Sequence, residues 1–262
     1  MFPDMNGNFS FPGIRPGTYE VVLIGVDQRQ LAREITQASE FAAPVQLRVQ
    51  PVQGGRVAAP GVAAAVPLKR LQHQVPKAAR KAYQQARKDR GRRRSAEAEA
   101  GYRAALAADP EYIEAANDLG VLYYATGRYT DSLAVLEQAR QIDGADPKVL
   151  ANLSASYMAL RRYAEAEPPA RRAYQSDPGN VHHAYLLGLS LAGQGRFDRE
   201  TRTLLEESAE AVPHARLALA QVLARNGDRG AARAQLSRYL EASPPASVGQ
   251  RGQVEQWIRS LR

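Results

Sequence analysis

Four histidines, no cysteine and a scatter of carboxylates are the raw material for chemistry in this 262-residue chain. Without cysteine there is no thiolate nucleophile, no disulfide and no Cys-based zinc or iron–sulfur site. His73, His182, His183 and His214 form no His-x-x-x-His pair, and no carboxylate stands at metal-ligand spacing beside them. His182 and His183 open a helical stretch and read as a solvent-facing pair. No Gly-rich loop follows a strand to cradle phosphate, and no Gly-x-Ser-x-Gly elbow presents a serine. Glu97, Glu99 and Glu137 read as residues of solvated helix faces. The chain is therefore expected not to be an enzyme, and neither a metal nor a cofactor is expected.

Charge is the remaining chemical signal. The net charge is +8, from 35 Lys+Arg against 27 Asp+Glu. Lys77, Arg80, Lys81, Arg87, Lys88, Arg90, Arg92, Arg93 and Arg94 crowd into one segment, opposed only by Asp89. That segment carries the whole excess, and the rest of the chain sums to zero. At helical spacing Lys77, Arg80, Lys81, Arg87 and Lys88 form a stripe about 120° wide, with alanines and Tyr83 opposite. The stripe is either the solvated outer face of a helix or a contact for a polyanion, nucleic acid or anionic membrane. Sequence-specific DNA reading is not expected, since no reading module is recognisable. No apolar run reaches the length of a transmembrane helix, and residues from Met1 onward do not read as a signal peptide.

The elements that carry these residues change character near residue 70. Up to about residue 68 the chain is punctuated by Gly and Pro and alternates like β-structure. Asn6-Gly7 signals a hairpin turn. Phe9 and Phe11 suit one strand, Tyr19, Val21 and Leu23 a second, and Val45, Leu47 and Val49 a third. The stretch Asp4-x-Asn6-Gly7-x-Phe9-x-Phe11-Pro12-Gly13-Ile14-x-Pro16-Gly17-x-Tyr19 resembles the carboxypeptidase regulatory-like domain. That resemblance implies a small β-sandwich of a kind found mostly in exported bacterial proteins. It spans residues 1–50 at most and lacks the family's earlier strands. Either an export signal lies upstream of Met1 and the protein is exported or periplasmic, or a three-strand remnant packs on the helices of a cytoplasmic protein. Residues 51–68 read as a linker.

From residue 69 the chain is helical in spacing and repeats. Leu119-Gly120-x-x-Tyr123 recurs after 34 residues as Leu153-Ser154-x-x-Tyr157, after 34 more as Leu187-Gly188-x-x-Leu191, and after 32 as Leu219-Ala220-x-x-Leu223. Gly127-Arg128-Tyr129 recurs as Arg161-Arg162-Tyr163, Gly195-Arg196-Phe197 and Gly227-Asp228-Arg229. This register resembles the tetratricopeptide repeat, two antiparallel helices per unit. A fifth copy is expected from Pro76 to Pro110, with a turn after Gly91 two residues longer. The resemblance implies a mainly α, right-handed solenoid of about five repeats over residues 69–244, with a capping helix over 245–262 that buries Val254, Trp257, Ile258 and Leu261.

Its second-helix slots for a small and then a large residue read Ser132 and Leu136, Ala166 and Ala170, Glu200 and Leu204, Ala232 and Leu236. Glu200 breaks the pattern and puts the packing of the fourth repeat in doubt. Pro168-Pro169 is expected to fray or kink a helix start. Asp146-Pro147 supplies an N-cap with Pro at the first helical position, and Val212-Pro213 puts Pro at the matching place.

Solenoids of this type bind along the concave face lined by first helices. The resemblance places Asn117, Val121 and Tyr124; Lys148 and Met158; His182, Tyr185, Leu189 and Ala192; and Leu217, Gln221 and Ala224 on that face. Repeats that clamp acidic chaperone tails carry a Lys and Asn cluster there, which this chain lacks. The expected function is an interaction scaffold whose groove takes a peptide or protein with apolar anchors. The alternative is polyanion contact through Lys77, Arg80, Lys81, Arg87, Lys88, Arg92, Arg93 and Arg94.

Overall fold

The computed structural model of the protein describes residues 17–24, 30–38, 73–242 and 248–261. Two antiparallel strands, β1 (Gly17–Ile24) and β2 (Gln30–Ala38), pair from Gly17–Ala38 to Ile24–Gln30, with an irregularity between Leu23 and Ile24. The expected Tyr19–Leu23 strand is β1. β2 escaped the sequence reading because Arg33 and Glu34 interrupt its alternation. The strands expected around Phe9 and Leu47 lie outside the described residues. Among the described residues the β-structure is this two-stranded pair and not a sandwich.

Eleven helices follow among the described residues: α1 (Lys77–Gly91), α2 (Ser95–Ala108), α3 (Ile113–Ala125), α4 (Tyr129–Ile142), α5 (Pro147–Ala159), α6 (Tyr163–Ser176), α7 (Val181–Gly193), α8 (Arg199–Ser208), α9 (Ala215–Arg225), α10 (Arg229–Ala242) and α11 (Val248–Ser260). They form five pairs and a terminal helix. Each first helix packs on its own second helix, and α3, α5, α7 and α9 also touch in sequence.

Every pair reverses through the same device. Arg93, Gly127, Arg161, Gly195 and Gly227 have positive φ, between 57° and 85°. The amide of the next residue then reaches back into the first helix: Arg94 to the Asp89 carbonyl, Arg128 to Tyr123, Arg162 to Tyr157, Arg196 to Leu191 and Asp228 to Leu223, all at 2.8–3.1 Å. The left-handed residue's own amide takes a second carbonyl, as Gly127 does from Tyr124 at 3.0 Å. Two carbonyls that a helix end would strand are thus satisfied.

The paired helices approach closely where the repeat demands a small residue. A methyl group on Gly120 would stand 2.6 Å from Leu136 Cγ, and one on Gly188 would stand 2.9 Å from Leu205 Cγ. The partner of Gly188 is therefore Leu205 and not Leu204, and the small slot beside it is Thr201, fully buried. The expected slot residue Glu200 is exposed instead, joined to Arg171 Nη1 at 2.6 Å and Arg196 Nη2 at 3.1 Å. Asp198 causes this shift. Its Oδ1 accepts from the Thr201 amide at 3.0 Å, and this N-cap starts α8 at Arg199. Arg128 and Arg162, at the matching starts of α4 and α6, make no such side-chain cap.

Three further expectations are corrected. The turn after Gly91 has three residues, as do those after Ala125, Ala159 and Arg225, and α1 itself is longer. Pro168 and Pro169 leave α6 continuous. The carbonyls their missing amides would have met belong to Ala164 and Glu165, both exposed, so water can serve them. α9 begins at Ala215, after a tight turn in which the Arg216 amide bonds to the Pro213 carbonyl, so Pro213 is not its first residue. The Asp146 cap is present, with Oδ1 accepting from Lys148 and Val149 amides.

His182 is exposed, but His183 is only 8% exposed, so the pair does not face solvent together. Burial pushes the His183 imidazole below its ordinary pKa of 6.5, and nearby Asp177 offsets part of this. Val254 lies in the core with Leu236 and Tyr239, and Trp257, Ile258 and Leu261 pack against it, so α11 covers the last pair.

Two measurements follow. A left-handed backbone costs a non-glycine residue about 1–2 kcal/mol, and glycine's extra freedom when unfolded cancels about half of the gain. Arg161→Gly is expected to stabilise by about 0.5–1 kcal/mol in urea unfolding. The His183 shift sets a sign as well. The folded state favours the neutral ring, so stability is complete above about pH 6.5 and declines as pH drops below it. In His183→Gln the urea midpoint is expected to fall less between about pH 7.5 and pH 5 than in the parent. Equal slopes would show that other groups control the acid limb.

Candidate functional site

The left-handed turn residues also index the groove. Counting back 3 residues from Gly127, Arg161, Gly195 and Gly227 gives Tyr124, Met158, Ala192 and Ala224. Counting back 6 gives Val121, Ala155, Leu189 and Gln221. Counting back 10 gives Asn117, Ala151, Tyr185 and Leu217, and counting back 13 gives Glu114, Lys148, His182 and His214. With first helices stacked side by side, these rows line one face of the solenoid.

Their burial separates them from the core. Leu119, Leu153, Leu187 and Leu219, between the rows, are at most 2% exposed. Asn117, Val121, Met158, Tyr185, Leu189 and Leu217 are half-buried, and Lys148, His182 and Gln221 are exposed. Tyr124 is 41% exposed, the one large apolar side chain so open among the described residues. Ala192 is only 4% exposed and drops out of the accessible row.

Tyr124 leans on Tyr129, with ring centroids 5.4 Å apart and planes tilted by 60°. Desolvation pushes the phenols of Tyr124 and Tyr185 up, and each phenolate would be raised further by another tyrosine: Tyr129 for Tyr124, and Tyr124 for Tyr185. Asn152 donates to Asn117 Oδ1 at 2.8 Å, which ties α5 to α3 at the groove floor. Both phenols stay neutral at physiological pH and supply apolar area with one polar handle each.

The second helices use their carboxylates differently from the sequence reading. Glu99 and Glu137 are not simply solvated. Tyr123 Oη donates to Glu99 Oε1 and Tyr157 Oη to Glu137 Oε1, both at 2.9 Å. Arg128 and Arg162 lie over the same two rings, 4.2 and 4.8 Å from the centroids. These groups bind helices together. Among the described residues no three metal-ligating side chains converge.

The basic segment presents Lys77, Arg80, Lys81, Arg87, Lys88, Arg92, Arg93 and Arg94 to solvent. Arg80 donates to the Val75 carbonyl at 3.1 Å, Arg87 lies 5.8 Å from the Tyr83 centroid, and Arg90 reaches Asp118 at 3.7 Å. Among the described residues no carboxylate pairs with Lys77, Lys81, Lys88, Arg92, Arg93 or Arg94. Asp89, the one acid of the segment, is 6% exposed and accepts from Gln85.

Sequence reasoning also misses a cleft. Gln221, Ala224, Arg225 and Trp257 line a cleft of about 290 Å³ between α9 and α11. Spacing assigns Trp257 to the cap alone, and Arg225 to nothing. Only the docking of α11 brings them together, over a separation that no local periodicity encodes.

Comparison with known proteins agrees with this architecture. The sequence model of the tetratricopeptide repeat matches residues 83–147 and 153–215. MamA from Desulfovibrio magneticus RS-1 superposes with a TM-score of 0.58 at 15% identity, over 64% of this chain and 96% of that one. TTC0263, a thermophilic TPR protein of Thermus thermophilus, gives 0.52 at 20% identity, over 70% and 98%. YrrB, described as a TPR protein with an unusual peptide-binding site, gives 0.54 at 19% identity, over 63% and 86%. At these identities the likeness is one of fold. No curated protein matches this sequence. Among the described residues no helix is long and apolar enough to cross a membrane. Residues 83–147 and 153–215 are tetratricopeptide repeats, and the helices around them continue the same helical-repeat solenoid.

Proposed function

We propose that this protein is a non-enzymatic interaction scaffold that binds a peptide or protein partner along the concave face of its solenoid. One observation carries the reading: in the rows that follow the repeat period on stacked first helices, Tyr124 is exposed and Met158, Tyr185, Leu189 and Leu217 are half-buried apolar or aromatic side chains. Partly exposed aromatics on a rigid surface are the residues that anchor partners, because they bury much area at little entropic cost. YrrB, of similar fold, is described as having a peptide-binding site. The N-terminal strands are read as part of a carboxypeptidase regulatory-like module, on the Asp4–Tyr19 motif.

A second reading rests on the unpaired cations of α1 and its turn. Lys77, Lys81, Lys88 and Arg92–Arg94 make a surface suited to anionic lipid or to a nucleic acid backbone.

The groove is tested with Tyr124→Ala, Tyr185→Ala and Leu189→Ala combined. Helical content by circular dichroism is expected to persist while partner recovery in a pull-down falls at least about tenfold. Recovery equal to the parent would place binding elsewhere. The second reading predicts salt-sensitive binding. Neutralising five phosphates of duplex DNA gives a log–log slope of about −4.5. No binding to duplex or anionic vesicles at about 50 mM salt removes it.

A further inference from the structure

The cleft between α9 and α11 lies at the C-terminal end of the groove. Gln221 and Ala224 belong to the groove rows, and Arg225 and Trp257 close the cleft beside them. Tyr185, Leu189, Leu217, Ala224 and Trp257 all pack on one apolar cluster, and Trp257 shares the cleft with the row residues Gln221 and Ala224. The cleft exists because Ala224 occupies the position that Tyr124 fills in an earlier repeat. A small side chain there leaves room, and α11 supplies the aromatic wall.

The chemistry of this end differs from the rest of the groove. Arg225 is exposed, and among the described residues no carboxylate pairs with it. Its guanidinium stands 5.8 Å from the Phe197 ring centroid, a contact that orients the group and leaves its donors available. Asp228 is three residues away, but its Oδ1 accepts from the Ala231 amide. Gln221 adds an exposed amide on the same wall. A guanidinium with free donors, an amide and an indole face together match an acidic side chain flanked by an apolar or aromatic one.

We infer that this cleft is an end-subsite of the groove, in which Arg225 and Gln221 hold a Glu or Asp side chain of the bound peptide. The adjoining peptide residue lies against the Trp257 indole. The subsite gives the partner a polarity: its apolar anchors lie toward Tyr124 and Tyr185, and its acidic residue lies toward α11. This inference rests on the groove reading above and adds to it the class of sequence bound.

Trp257 is the chain's one tryptophan, so its fluorescence reports this subsite alone. The experiment selects phage-displayed random peptides on the full chain. The peptides are fused at their C-terminal ends, so the carboxylates selected come from side chains. Recovered peptides are then synthesised and titrated against Trp257 emission. Expected are peptides carrying Asp or Glu beside an apolar or aromatic residue, with binding that changes Trp257 emission. Arg225→Gln is expected to weaken them about tenfold. Replacing the peptide's acidic residue by its amide should cost the same, and the two changes together little more. Peptides that lack an acidic residue, leave Trp257 emission unchanged and are lost in Tyr185→Ala would overturn the subsite while the groove stands. Recovery of no peptide that depends on Tyr124 or Tyr185 would overturn both.

Discussion

Each helical pair has to turn back within a few residues, and that is possible only if one residue beyond the first helix is left-handed. Arg93, Gly127, Arg161, Gly195 and Gly227 supply it five times over. The reversal fixes where the second helix starts and which way it runs. Because the same hydrogen-bond pattern recurs in all five turns, the pairs are near copies, and near copies stack by a near-constant operation. The stack of first helices, and hence the groove, follows from the turn. The rows at 3, 6, 10 and 13 residues before each left-handed position fall on one face because each helix is anchored at that end.

Anchoring at the turn also explains which irregularities are tolerated. α1 extends two residues further back from its left-handed residue than α3, and α9 two residues less. Both differences sit at the helix end remote from the reversal, where nothing else is registered. The extra residue between Gly195 and Thr201 is different, since it lies within the reversal. It is absorbed because Asp198 begins α8 afresh with a proper cap. The Gly188–Leu205 contact then reproduces that of Gly120 and Leu136. Close packing between paired helices, rather than sequence register, is what the fourth pair preserves.

This separates what could be read in the sequence from what could not. The solenoid is legible because Leu119, Leu153 and Leu187 recur at a fixed period, and periodicity is a local property. Glu200 is misplaced when period alone is followed through a turn where a capping residue overrides it. The Asp198-x-x-Thr201 spacing is the signal that corrects this. The burial of His183 is hidden because its neighbour His182 is a groove residue, and a helix turns one toward solvent and the other inward. β2 is hidden because charged residues break its alternation. The links from Tyr123 to Glu99 and from Tyr157 to Glu137 join separate helices, and so does the cleft at Trp257. Such contacts depend on how elements dock, which no spacing along the chain records.

The groove's composition has a physical reason beyond function. A repeat touches only its neighbours in the stack, so the chain's own repeats cannot cover the concave face of the first helices. Apolar residues placed there stay half-exposed, which is unfavourable for the free chain by roughly 25 cal/mol for each Å² left in water. Leu119, Leu153, Leu187 and Leu219 are buried in the core, and Tyr185, Leu189 and Leu217 pack against it. Tyr124, at 41% exposed, and Met158 stand outside the apolar clusters that hold the repeats together, and under the scaffold reading proposed above a partner that covers them removes the cost of their exposure.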